Sequence, residues 1–347
     1  MSESAEAGPN TPEDDVLAEH GAMADPRAHS RGKLSASLEA YTLLFLAALV
    51  AILFAKLPAT ADVFPTAANF QAIAGGQAVL IVATLAVLIP LICDEFDLSV
   101  GANLGLASVV SASFMAAGLP LVVAVGAGLL SGALIGVVNG LLVTRVGVNA
   151  VIVTLGVSVI IHGVVQYRTG GKSITEGLPA SWLNVGSESI FGIPVILLIA
   201  LVIAGLVYYL LTYTPYGRQL YMMGANRQAA KLVGLRANWL LFTCFVVGGL
   251  LAGAAGVLQV ARAGAAAPSV GESFTLPAFA AAFLSAAAIK PGRYNVWGCV
   301  VAITFLAVIN GGLNIAGASV YIADFVNGTA LISGVALAVY LRRRRGA

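Results

Sequence analysis

The sequence predicts an all-α, polytopic membrane protein of about ten transmembrane helices, and it admits an arrangement as two inverted halves of five. Three observations carry this. Hydrophobic residues make up 59% and charged residues only 10% of the 347 residues, against roughly 25% charged in soluble domains. Glycine is abundant at 39 residues, as expected where membrane helices approach closely. The basic residues recur at intervals that alternate with apolar windows of spanning length.

The first 37 residues are acidic and rich in Pro and Ala, with Glu13, Asp14, Asp15 and Glu19 ahead of Arg27, Arg31 and Lys33. No apolar core of a signal peptide precedes residue 38, so 1–37 reads as a disordered cytoplasmic tail. The membrane body follows over 38–341, with an inward loop at 214–238, and 342–347 is a basic cytoplasmic tail. Apolar windows fall near 38–57, 72–93, 98–117, 120–144, 149–168, 190–212, 239–261, 275–289, 295–315 and 320–341. With both termini inside, only Lys56, Arg168, Lys172 and Arg262 of the 18 basic residues lie outside, as the positive-inside rule requires. The window after Pro277 is short for a straight crossing. It reads as tilted, as re-entrant, or as extended by residues from the Gly271–Phe274 side.

The join CDEFDLSVG after the second window holds Asp94, Glu95 and Asp97, which are costly beside hydrocarbon unless they reach water or donors. Asp97 and Ser99 stand at the start of the next helix. One reading makes Asp97 a cap for that helix, the other a member of a substrate path or gate. Asn139 and Asn310 occur in the related strings GVVNGLLV (136–143) and AVINGGLN (307–314), five windows apart, the spacing that inverted halves would show. Both amides read either as links between helices or as lining of a central path. Asp324 in the last window is the other acidic residue within an apolar stretch.

Residues 214–240, TPYGRQLYMMGANRQAAKLVGLRANWL, form the longest polar and basic interval within the apolar body. Asn226 can cap a short helix over Arg227–Val233, ended by a left-handed Gly234. Ala229, Ala230 and Val233 would share one side, with Arg227, Gln228 and Lys231 toward water. A helix of two turns is unstable alone. It is therefore either a solvated connector or a docking element for a soluble partner. The outward segment 170–192, with Lys172, Glu176, Trp182 and Glu188, is too short to fold as a domain, so capture of a solute outside the membrane falls to another polypeptide.

Several chemistries are excluded. TGGKS at 169–173 lacks the Gly that a phosphate loop needs at 166, where Gln166 stands. His162 lies in an apolar run with no second ligand or acid near it in sequence, and reads as a helix-contact residue. Cys93, Cys244 and Cys299 show no metal-ligand spacing and read as small buried hydrophobes. No hydrolytic or metal constellation is visible, so the chain is not expected to be an enzyme or to bind a cofactor or metal. No nucleic-acid partner is expected either.

Three stretches resemble the integral-membrane permease subunits of bacterial ABC importers of the ribose, xylose and galactose type: DLSVG (97–101), GLPLVVAVGAGLLSGALIGVVNGLLVTRVGVNAVIVTLG (118–156) and YGRQLYMMGANRQAAKLVGL (216–235), the last followed by LAGAAGVLQVARAG (251–264). The likeness covers roughly residues 70 to 341. It implies a bacterial inner-membrane protein that pairs with a second permease copy or homologue. It further implies two ATP-binding subunits or one fused double ATPase, which carry ATP and Mg, and an extracytoplasmic binding protein that delivers a sugar. By that resemblance Tyr216, Gly217, Arg218, Gly224, Asn226, Ala230 and Gly234 couple the permease to its ATPase, and Asp97, Ser99, Asn139 and Asn310 belong to the path or gate. The chain departs from the pattern at LSAAAIKPGRYNVWG (284–298), where Ala replaces Gly of the common run. The same architecture could carry an amino acid or a signalling molecule; an ion-coupled secondary transporter is the rival class.

Overall fold

A computed structural model describes the backbone over residues 26–346 and side chains over 41–319 and 321–340. Residues 1–25 of the expected tail, and the side chains of Arg342–Arg345, lie outside the described residues. The chain divides into two compact units, Met1–Glu39 and Ala40–Ala347. In the first, the described backbone is helical from Pro26, where α1 (Pro26–Lys56) begins.

The second unit is a helical body. In chain order it contains α2 (Ala67–Ile92), α3 (Val100–Ala116), α4 (Leu121–Leu141), which runs on through a π turn at Leu142–Val146, and α5 (Ala150–Thr169). A short helix α6 (Ala180–Ser187) and a two-residue hairpin, β1 (Ser189–Ile190) with antiparallel β2 (Ile193–Pro194), follow. Then come α7 (Val195–Tyr213), α8 (Pro215–Ala225), α9 (Arg227–Leu232), α10 (Ala237–Ala263), α11 (Glu272–Leu284), α12 (Val296–Ile315) and α13 (Val320–Gly346). Among the described residues, seven helices are long and apolar enough to cross a membrane, and three shorter apolar helices fall on the remaining predicted windows.

Local chemistry fixes the helix ends. Thr66 accepts from the Asn69 amide to open α2, Asn149 from Val151 to open α5, and Asn295 from Gly298 to open α12. Gly147 and Gly264, with φ of 83° and 64°, take the left-handed turn that ends α4 and α10.

The centre of the body is α2 with α10, the two helices most enclosed by protein. On α4, Gly128, Gly132 and Gly136 repeat every fourth residue and face Gly249 and Gly253 of α10. A Cβ on Gly132 would lie 2.5 Å from the Gly249 carbonyl oxygen. The absent side chains are what let the two backbones touch. Elsewhere the core is mainly aliphatic, including Leu85, Leu88 and Ile89 of α2 and Leu241 of α10, with the ring of Phe245 also fully buried.

The short window after Pro277 is resolved by its N-terminal end. α11 starts at Glu272, five residues before Pro277, and finishes in a 3-10 turn at Ser285–Ala287. Its first residues lie against α3: a Cβ on Gly101 would come within 2.5 Å of the Gly271 carbonyl oxygen, and one on Gly105 within 3.5 Å of the Gly271 nitrogen. The connector 264–271 therefore folds back into the body before α11 begins.

Candidate functional site

Two regions hold the residues singled out in the sequence. The first is the polar interval after α7. Thr214 caps α8, accepting from the Gly217 amide, and Pro215 occupies the first helical turn, where its missing N–H costs nothing. Asn226 ends α8 and opens α9, its Oδ1 accepting from the Ala229 amide at 2.9 Å. α9 runs over Arg227–Leu232, and Gly234 follows with φ 85°.

This pair of short helices is seated on the body. Gly217 packs against the Leu211 carbonyl and Gly224 against the Ile92 carbonyl at the end of α2; neither site has room for a side chain. Ala230, Leu220 and Met223 are buried, and Tyr216 is partly buried with its hydroxyl 3.9 Å from Cys244 Sγ. Arg227 Nη1 donates to Glu95 Oε1 at 2.8 Å. Burial pushes the Glu95 carboxyl up from its ordinary value, and the Arg227 charge opposes that shift.

The sides of α9 differ from the sequence expectation. Ala230 alone of the three expected residues is buried, while Ala229 and Val233 are exposed. Arg227, expected to face water, pairs with Glu95 because the end of α2 and the following loop bring that carboxylate beneath it. The outward surface instead presents Leu232, 88% exposed, and Val233, 67% exposed, beside Lys231 and Gln228. Arg218, Asn226 and Gly234 are also on the exposed surface.

Beside the seated helices lies a cavity of about 900 Å³ between the ends of α2, α7 and α8 and the connector to α12. Asp94, Arg218, Tyr221, Lys290, Arg293 and Asn295 are among its lining residues. The Tyr221 hydroxyl donates to the Tyr294 carbonyl at 2.7 Å, and the Arg293 guanidinium sits 4.3 Å over the Tyr221 ring. Burial pushes the Tyr221 hydroxyl up to about 12, against the Arg293 charge.

The second region joins three of the four residues assigned to a path or gate. Ser99 donates from its backbone N–H to Asp97 Oδ1 at 2.9 Å and from its hydroxyl at 2.6 Å, and Asn139 Nδ2 donates to Ser99 Oγ at 2.8 Å. All three are buried. Asp97 accepts from a backbone amide at the entrance to α3, as the capping reading expects, though that amide belongs to Ser99, which holds the cap position itself and makes no side-chain cap bond. Leu98 is held by its N–H to Thr154 Oγ1 at 3.1 Å. Asn310 lies elsewhere, its Nδ2 3.4 Å from Asn327 Oδ1, so it links α12 to α13.

Sequence reasoning missed three pairings. Glu95 with Arg227, Cys93 Sγ with Cys244 Sγ at 3.0 Å, and His162 Nδ1 with Glu272 Oε1 at 3.3 Å are each remote along the chain. The view of His162 as a residue with no acid near it is thereby corrected. Cys93 and Cys244 are buried free thiols, and no cluster of three or more potential metal ligands occurs among the described residues.

Residues 69–335 match the family described as branched-chain amino acid transport system / permease component. The chain is 31% identical to the D-allose transport system permease protein AlsC of Escherichia coli K12, over 86% of this chain and 90% of that one. It is 32% identical to the ribose import permease protein RbsC of Bacillus subtilis 168, over 72% and 77%. It is 29% identical to the autoinducer 2 import system permease protein LsrC of Escherichia coli SMS-3-5, over 74% of each. No solved structure matches the chain.

Proposed function

Because the chain belongs to the branched-chain amino acid transport system / permease component family, we propose that it is the translocation subunit of an ATP-binding-cassette importer that admits a monosaccharide. As a member it is a non-catalytic, multi-pass membrane permease. The observation that carries the sugar reading is the similarity to permeases for D-allose and ribose, which extends over most of the body. The likeness to an autoinducer 2 permease favours a second reading, a small polar signalling molecule handled by the same architecture.

ATP and Mg would be bound by separate ATPase subunits. Contact with them would fall to α8 and α9. Two short helices seated by Gly224 against the end of α2, and tied by Arg227 to Glu95, transmit a push through packing. The exposed Leu232 and Val233 offer apolar surface for a partner to cover. Gly217, Gly224 and Ala230 would then couple from behind, as the seat of the lever, with Arg218 and Lys231 on its outer face. The cluster of Asp97, Ser99 and Asn139 would fix the start of α3 beside the path.

Ten spans with both termini cytoplasmic, in a bacterial inner membrane, fit the distribution of basic residues. Inverted halves gain support from the two connectors that turn back into the body. Residues 93–99 return from the end where α8 sits, 264–271 from the opposite end, and the helices they open meet at Gly101 and Gly271. A second permease copy and an extracytoplasmic binding protein complete the assembly. The test is to purify the chain from native membranes with its retained subunits and measure ATP hydrolysis with added D-ribose or D-allose. Stimulation by either is expected. A retained ATPase that responds to neither sugar, yet to autoinducer 2, would replace the sugar reading with the second.

A further inference from the structure

His162 and Glu272 stand side by side on a surface that the described part of the chain leaves open. Their side chains are 47% and 71% exposed. Their depth makes this unusual. Asn103 donates to the carbonyls of Gly132 and Gly249, which lie at the middle of the 121–146 span and of α10. Asn103 sits between Gly101 and Gly105, the residues of α3 that meet Gly271. Glu272 therefore begins α11 midway along the body. His162 lies within three residues of the centre of α5, about 18 Å from its first residue and about 10 Å from its last at 1.5 Å per residue.

A carboxylate and an imidazole at that depth are costly against hydrocarbon, and each demands protein or water around it. The His162 Nδ1 contact at 3.3 Å meets one oxygen of Glu272 and leaves the rest of the carboxylate open. Close to the pair there is open space between α3 and α5. A cavity of about 400 Å³ there is lined by Leu106, Ser113, Phe114, Val165, Tyr167 and Arg168. Val165 is one turn beyond His162, and Leu106 follows Gly105 directly. The Ser113 hydroxyl, buried at its edge, has no partner. Ser113, Tyr167 and Arg168 are the polar members of a lining that is otherwise apolar.

We propose that His162 and Glu272 contact the transported solute at the midpoint of the passage, and that a second copy of this chain walls the passage on its open side. A carboxylate accepts from two neighbouring hydroxyls of a polyol, and the imidazole offers a further donor or acceptor. The inference rests on the importer reading, but its first test does not.

In membranes carrying the complete importer, His162→Cys and Glu272→Cys are treated with a water-soluble maleimide. Leu206→Cys, exposed midway along α7, is the lipid-facing control, and Lys172→Cys, exposed in the loop after α5, the aqueous one. Labelling of both pair positions, with Leu206→Cys unlabelled, is the expected result. Unreactive pair positions beside a reactive Lys172→Cys would overturn the proposal, since the face would then be covered by lipid. In the same membranes His162→Leu and Glu272→Leu should lower uptake of D-ribose or D-allose by about tenfold or more, while Glu272→Gln, which keeps an acceptor, stays within about threefold of the parent. Co-purification of the ATPase should be unchanged in all of them. Uptake at the parent rate by both leucine variants would refute solute contact. Parent membranes that import neither sugar would refute the sugar assignment alone, because labelling still decides whether the pair faces water.

Discussion

At the scale of single residues, the contact between Arg227 and Glu95 shows how a partly exposed ion pair can matter. Glu95 is largely covered, so removing its partner leaves a carboxylate with part of its solvation lost. Arg227→Ala should loosen α8 and α9 by about 1 kcal/mol, and adding Glu95→Gln should recover part of that. Hydrogen exchange of the amides over 215–235 in the four variants of the cycle measures it. The pH dependence has a definite sign. The folded state raises the Glu95 pKa through burial, so it binds a proton more tightly than the unfolded chain. Its contribution is present below the ordinary carboxylate range and is lost as pH rises through the raised folded value. Protection of 215–235 should therefore fall over that window in the parent and stay flat in Glu95→Gln. The Asp97, Ser99 and Asn139 cluster answers to the same accounting. Asn139→Leu removes the donor that meets Ser99 Oγ in a fully buried setting and should cost about 1–3 kcal/mol in thermal unfolding.

At the scale of elements, the crossing of α4 with α10 depends on glycine at particular turns. Gly132→Leu would drive a side chain into the Gly249 carbonyl and the Gly253 backbone, whereas Gly126 on the same helix has open space around its Cα. Gly132→Leu should abolish recovery of folded protein and Gly126→Ala should leave it unchanged, as monodispersity in detergent would report. Gly224→Leu acts elsewhere. Its side chain would strike the Ile92 carbonyl and lift α8 from α2, so the body should persist while the seated helices lose exchange protection. The N-cap role of Asn226 and the left-handed Gly234 were legible in the sequence, because caps are written within four or five residues. Which side of α9 faces the body was not. That depended on where α2 ends, a position set by packing.

At the scale of the whole molecule, charge and hydropathy predict sidedness. In intact cells a cysteine at Lys172 should react with an impermeant maleimide, and one at Lys231 should react only after the membrane is opened; equal reactivity of both would refute the topology. Composition and hydropathy determined the class of this protein, because hydrocarbon leaves a chain few choices beyond helices about twenty residues long. The polar interval before α10 and its local caps were likewise determined by the sequence. Only the tertiary structure decided that the short α11 starts midway along the body, that Cys93 meets Cys244, and that His162 finds Glu272. These contacts join residues far apart in the chain. In helices apolar on nearly every side, no periodicity marks the face that meets a neighbour. Close packing of small residues selects that face, and with it the placing of the few polar groups.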